Sequence, residues 1–448
     1  MNINDNRMKL NINADRLLAE LRRLARITDC PQNEEKSLPE PTQAVTRIVF
    51  TPRDLEARAW VKSLAKAAGF SAHEDAVGNT FMRWEGSEPA LGAVGTGSHT
   101  DAIPHAGMYD GTVGVLGGLE ALRSLKESGF QPKRSLELLM FTSEEPTRFG
   151  IGCLGSRLLG GVMDPDAADQ LPDRLHETDP NATQGLSLHE VRESAGFHGA
   201  LGSVKLPAHY YDAWVELHIE QGPLLDRDNV ELGIVTNIAA PASYRYTVEG
   251  SGGHAGALLM PDRHDALCAA AEIILSVERH ALAANARARA EGQSGVDTVA
   301  TVGMVAVHPG AVNSVPSRVQ LTLDIRDTDV LRRDSVMEAL HADMRRIEEK
   351  RKVHITEELI NADQPAHSDP RIIAALEAGC QAENATFERM VSRAYHDTNF
   401  IAPIASVAML FIPCRDGVSH RPDEYATPES ITLGVRVLAR TLAKLSMA

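Results

Sequence analysis

Cysteine is scarce in this chain. Its 448 residues hold five, at positions 30, 153, 268, 380 and 414, odd in number and without a CxxC pair. That pattern speaks against a disulfide framework and a cysteine-built zinc site, and fits free thiols in a reducing compartment. Runs of basic residues are also missing. The formal charge is 45 − 61 = −16, which argues against nucleic acid and anionic membranes as partners. No stretch approaches the ~20 consecutive apolar residues that span a bilayer. The N-terminal MNINDNRMKLNINADRLLAEL has no apolar signal core, so the cytoplasm is the expected location. HExxH, Walker A and GxSxG are absent. His218-Ile219-Glu220 has the H-x-E of zinc deaminases, but no PCxxC follows it, only Pro413-Cys414. Cys153, with no base paired to it, reads as a packing cysteine.

Hydrophobic residues make up 43% and charged residues 24%, ordinary values for a chain that must divide into at least two domains. Helical spacing runs over 14–27, 52–68 and 113–128, with Gly129 as a stop signal, and a polar, Pro-rich loop covers 31–41. SLELLMFT (135–142) and AWVELHI (213–219) read as buried strands. Strands alternating with helices predict an α/β layer with a largely parallel sheet. Residues 242–357 change rhythm to β-α-β-β-α-β, the ferredoxin-like order. Helix, strand and helix then resume over 370–383, 407–412 and 428–445. The expected architecture is α/β, with a discontinuous catalytic domain, 1–241 and 358–448, and a small domain, 242–357, inserted into it.

Four segments place metal-type ligands at predicted strand ends, where ligands converge in α/β sheets. They are GTGSHTDAIPHAGMYDG (His99, Asp101, Asp110), FTSEEPTRFG (Glu144, Glu145), ELHIEQG (His218, Glu220, Gln221) and GVSHRPDEY (His420). Any one of these residues alone would be unremarkable. Together they leave several carboxylates and imidazoles against apolar strands, which is costly unless they are paired or metal-bound.

These segments, in this order around the inserted domain, resemble the aminoacylase/carboxypeptidase metallohydrolase superfamily and, within it, the hydantoinase/carbamoylase family. SRAYHDTNF and FIPCRDGVSHRPDEY extend the likeness over nearly the whole chain. The resemblance implies two divalent metal ions, Mn²⁺ or Zn²⁺ with Co²⁺ or Ni²⁺ possible. Asp110 would bridge them, His99 and His218 would complete one, and Glu145 and His420 the other. It further implies Glu144 as general base and His254 as the group that stabilises the oxyanion, supplied across a homodimer built through the lid domain. Asp101 would fix the His99 tautomer, and a cis peptide would follow Asp110. Gln221, Asn313, Arg326, Tyr395 and His396 would hold a small anionic substrate. A strand-end ion pair with Asp324 or Asp327 is the alternative for Arg326.

The implied reaction is hydrolysis of a linear ureido C–N bond with release of ammonia. Ureidoglycolate is the first expected substrate, because Tyr395 stands where relatives have Gly and fills space a longer substrate would need. N-carbamoyl-L-amino acids and allantoate are the alternatives. An exopeptidase or deacylase fits less well, since the ELHIEQG ligand is His218 and not a carboxylate. A non-catalytic scaffold would have no use for Glu144.

Overall fold

Capping chemistry sets where helices begin in the computed structural model, which describes residues 10–30, 42–177, 185–293 and 298–448. The Pro-rich loop expected over 31–41 lies outside the described residues. Helices Pro52–Ala67, Pro370–Ala382 and Pro428–Ser446 each open on a proline preceded by a capping side chain. Thr51, Asp369 and Thr427 accept hydrogen bonds from the backbone N–H of Asp54, Arg371 and Ser430. The capping side chain satisfies an orphan donor while proline occupies a position that needs none. The helix Thr112–Glu127 ends just before Gly129, whose φ is +79°.

The chain divides into two compact units. The first takes in the described residues up to Thr236, His367–Met390 and His396–Ala448; the second is Asn237–Ala366 with Val391–Tyr395. Among the described residues nine strands form the first unit's sheet, which is mixed rather than simply parallel. Its centre runs Val407–Ile412, Tyr211–Ile219, Ala93–His99, Leu136–Phe141, all parallel neighbours. Antiparallel strands flank that centre, Leu232–Ile238 on one side and Thr80–Trp84, then Ser71–Glu74, on the other. The central strands are apolar on both faces because both faces are covered. Leu136, Leu138 and Met140 join the helices Ala14–Ala25, Thr112–Glu127 and Pro428–Ser446 in one core, while Leu139 and Phe141 pack with Leu154, Leu158 and Trp214 in another.

In the second unit the order is β-α-β-β-α-β. The sheet runs Val299–His308, Arg318–Asp327, Ala240–Glu249, His354–Ala362, every neighbour antiparallel. Val319, Leu321, Leu323 and Ile325 alternate into a core closed by helices Ala266–Ala290 and Val330–Arg351. The strands Ala240–Glu249 and His354–Ala362 run past residues 242 and 357, pairing as far as Ala240 opposite Asp327 and Ala362 opposite Ala242.

One buried ion pair ties this framework to the loop that carries Glu144. Arg58 Nε lies 3.1 Å from Asp54 within the helix Pro52–Ala67. Its other nitrogens donate to the carbonyls of Gly78 (2.9 Å) and Phe141 (3.0 Å). Arg58→Ala would strand the Asp54 carboxylate and is expected to cost ~3–5 kcal/mol, measured by denaturant unfolding; a loss under 1 kcal/mol would show the pair to be dispensable.

Candidate metal centre

Parallel strands in register end level with one another, and here each end carries a polar residue. His99 is the last residue of Ala93–His99 and pairs opposite Phe141, with Glu144 and Glu145 shortly beyond it. His218 pairs opposite Phe411, and the chain beyond Ile412 leads to His420. Asp110 sits before the helix Thr112–Glu127, held by a turn at Gly111 (φ +64°, ψ −42°). The Asp110–Gly111 peptide is not cis, contrary to expectation; among the described residues the cis bond is His308–Pro309. The positive φ of Gly111 makes the turn instead. A Cβ there would stand 2.5 Å from the His99 ring, so only glycine fits.

The two oxygens of Asp110 face different groups. Oδ1 lies 3.5 Å from His99 Nε2 and 3.2 Å from His218 Nε2. Oδ2 lies 3.1 Å from His420 Nε2, which is itself 3.6 Å from Glu145 Oε1. His99–Asp110–His218 and Asp110–Glu145–His420 are therefore two clusters sharing one carboxylate, each with donor atoms within 4.8 Å of one another. The Nδ1 atoms of His99 and His218 are tied to backbone carbonyls, Asp101 O at 3.0 Å and Ile219 O at 2.9 Å. With Nδ1 so engaged, the Nε2 atoms of both rings face inward to Asp110, and the Gly111 backbone nitrogen lies 3.2 Å from Nε2 of His218. Imidazole and carboxylate donors without thiolate fit divalent cations.

The electrostatics agree with that fit. Burial opposes ionisation of Asp110, but hydrogen bonds from His218, His420 and His99 hold it well below the usual carboxylate range. Burial, then the charges of Glu144 and Asp110, push Glu145 well up. Glu144 is raised by burial and by Asp110 and Asp101, against the pull of His99. Its Oε2 is 3.8 Å from His99 Nε2, and Cys153 Sγ donates to its Oε1 at 3.4 Å. His420 is pushed up to about 9, first by its hydrogen bond to Asp110.

Asp101 acts differently from the expectation. Its backbone carbonyl fixes the His99 tautomer, and its carboxylate stands 3.8 Å from Nδ1. The carboxylate instead accepts the backbone N–H groups of Glu144 (3.3 Å) and Glu145 (3.0 Å), which orients both acids. Gln221 donates to Asp110 Oδ2 at 2.8 Å, so its amide is engaged within the cluster. The His396 ring packs against His218 at 4.5 Å between centroids.

Other expected site residues lie in the second unit. Arg326 Nε bonds Asp324 Oδ1 at 2.7 Å, and its guanidinium lies 5.3 Å over the Tyr395 ring, so the ion pair weighed for it does form. His254, exposed, sits in a two-residue strand opposite Ser314, next to Asn313, whose carbonyl accepts the Ala255 N–H. Sequence reasoning missed Ser419, Glu424 and Asp397. Asp397 is fully buried, bonded to Ser156 Oγ at 2.5 Å, and raised well up by burial and then by Glu144 and Glu216. The one signal for it was its place directly after His396.

A divalent cation held by His420 would have to displace the proton on this imidazole, which is pushed up to about 9. Mn²⁺ affinity of the metal-stripped protein is therefore expected to rise with pH from 6 toward 9, and binding at pH 7 to release protons. Calorimetry in buffers of different ionisation enthalpy measures both; pH-independent binding without proton release would contradict the assignment.

Comparison with known proteins agrees with this geometry. Residues 95–444 match the model of Peptidase family M20/M25/M40. A ureidoglycolate hydrolase of Oryza sativa subsp. japonica is 50% identical over 91% of this chain and 81% of its own length. An N-carbamoyl-L-amino acid amidohydrolase of Geobacillus stearothermophilus is 35% identical over 91% of this chain and 95% of its own. A crystal structure of AtUAH in complex with glyoxylate superposes with a TM-score of 0.83 at 46% identity, covering 98% of both chains. The chain belongs to the M20/M25/M40 peptidase family of metallohydrolases, on its hydantoinase/carbamoylase side.

Proposed function

We propose that this protein hydrolyses the ureido C–N bond of ureidoglycolate with release of ammonia, using two divalent ions that Asp110, His99, His218, Glu145 and His420 would hold. The observation that carries the reading is the division of labour at the Asp110 carboxylate, Oδ1 with His99 and His218, Oδ2 with His420 beside Glu145. The substrate assignment draws on the 50% identity to a ureidoglycolate hydrolase and on the glyoxylate complex of a close structural relative. Mn²⁺ is the proposed working metal, and the cytoplasm the proposed location.

A ureido carbonyl is a poor electrophile because two nitrogens donate into it. Bound cations supply Lewis acidity that polarises such a carbonyl and brings a water's pKa toward neutrality. The chain's own part begins with Glu144. Held by Cys153 and by the Asp101 contact to its N–H, it takes the proton of the attacking water and delivers it to the departing nitrogen. Its partly buried position favours this shuttle, since burial and neighbouring acids bring its affinity for a proton above that of a free carboxylate. Asp101 keeps Glu144 and Glu145 apart in role by fixing their backbones. His396 would frame the substrate's polar groups, with Gln221 completing the Asp110 side.

In the second unit, the family resemblance assigns the substrate carboxylate to Arg326 and Asn313 and the oxyanion to His254. To hold that carboxylate, Arg326 would have to share or leave Asp324, whose two oxygens lie 2.7 Å from its Nε and 3.4 Å from its Nη2. The strand order supports reading this unit as a ferredoxin-like lid. Exposed Leu275 and Leu282 on one helix, and Met304 and Val305 on the edge strand Val299–His308, support a homodimer through it, since bare edges and apolar patches are normally covered.

Metal-reconstituted protein offered ureidoglycolate, allantoate, N-carbamoyl-L-amino acids and dipeptides in parallel should release ammonia fastest from ureidoglycolate. Glu144→Gln should retain metal while kcat falls ~10²–10⁴-fold; normal turnover in that variant, or a preference for dipeptides, defeats the proposal. Mixing Glu144→Gln with His254→Ala subunits should restore part of the activity, and a verified heterodimer that stays inactive would remove His254 from the partner's site.

A further inference from the structure

Glu424 belongs to no role assigned above, yet it is fully buried and all its hydrogen bonds point at the metal loops. Its Oε1 accepts the backbone N–H groups of Tyr109 (2.9 Å) and Asp110 (3.0 Å). Its Oε2 accepts the Ser419 hydroxyl at 2.8 Å, and that same hydroxyl lies 3.2 Å from Asp110 Oδ2. Gly107 presses on it so closely that a Cβ there would stand 2.4 Å from its carboxylate. The Tyr109 and Tyr425 rings meet edge to face alongside, 6.1 Å between centroids. His420 lies on the same short segment as Glu424, and that segment folds back on itself through the Glu424 N–H to the Arg421 carbonyl at 3.1 Å.

Burying a carboxylate is expensive unless its lone pairs are satisfied. Here the satisfying donors are two consecutive backbone N–H groups on the Asp110 turn and a hydroxyl on the His420 loop. A side chain that only filled the core could be apolar. One that joins two loops from opposite ends of the sequence fixes the distance between the ligands they carry.

We propose that Glu424 is a positioning residue that clamps the Asp110 turn to the His420 loop and thereby sets the affinity for the divalent cation held by Asp110, Glu145 and His420. The proposal rests on the reading of those three as ligands. Glu424 touches neither cation nor substrate and acts through the geometry of Asp110 and His420.

Reach and charge can be separated by two substitutions. Glu424→Asp keeps the charge and shortens the side chain by one methylene; Glu424→Gln keeps the length and an acceptor oxygen for the two N–H groups. Metal-stripped wild type and both variants are titrated with Mn²⁺ by calorimetry, with circular dichroism confirming the fold. Binding to Glu424→Asp should weaken by ~10–100-fold, the usual size for loss of a contact that orients a ligand, while Glu424→Gln stays within about threefold of wild type. Saturating Mn²⁺ should restore most of the turnover of Glu424→Asp. Equal affinities in all three proteins, or weaker binding by Gln than by Asp, overturns the clamp, the first because Glu424 would then be mere core and the second because charge and not reach would matter. Should the Asp variant fail to fold, Ser419→Ala, which removes the hydroxyl standing between Glu424 Oε2 and Asp110 Oδ2, must weaken Mn²⁺ binding, and unchanged affinity overturns the proposal. Wild type that binds no Mn²⁺ refutes the ligand reading itself, a result distinct from wild type and variants binding alike.

Discussion

The constraint on which the rest depends is the concentration of acidic groups around Asp110. Glu144, Glu145 and Asp110 converge with three imidazoles at the level ends of four parallel strands. Without a counter-charge such a cluster holds protons it would not hold in water, which is what the raised carboxyl and imidazole groups record. The sheet supplies the rigidity to keep these groups together against their mutual repulsion. Its central strands are buried on both faces, and Arg58 and Asp101 pin the loop after Phe141 from behind.

That loop region also stores backbone strain. Ser143, Cys153, Gln221 and His420 all lie at φ between +56° and +58°, a region that disfavours side chains with a Cβ. Such conformations cost of order 1 kcal/mol or more each and persist where surrounding contacts over-determine them. Gln221 and His420 contact Asp110, Cys153 contacts Glu144, and Ser143 directly precedes Glu144. Left-handed residues occur elsewhere too, as at the helix ends Asn229 and Lys352, but these four bracket the acidic cluster around Asp110.

Much of this organisation was legible in the sequence because it is written in short-range pattern. LELLMF and AWVELHI end abruptly in charged or imidazole residues, and an apolar run that stops at a ligand marks a strand end. Pro52, Pro370 and Pro428 announced three helices to within a residue or two. The mixed character of the sheet was not legible, since Leu232–Ile238 has neither a clear alternation nor a long apolar run. Nor was the role of Asp101, whose carboxylate serves backbone N–H groups that sequence spacing does not address. Glu424 escaped notice for a similar reason. Its partners are main-chain atoms on a distant turn, and no side-chain motif encodes that kind of recognition.

The contact between Glu424 and the Asp110 turn joins residues 314 positions apart. Native pairing at such separation pays its loop-closure entropy late and slows assembly. A growing polypeptide therefore carries His99, Asp110 and His218 long before the strand Val407–Ile412 and the segment beyond it can dock. The donor group of Asp110, Glu145 and His420 is thus complete only once the last quarter of the chain has docked, so the framework precedes the site it frames.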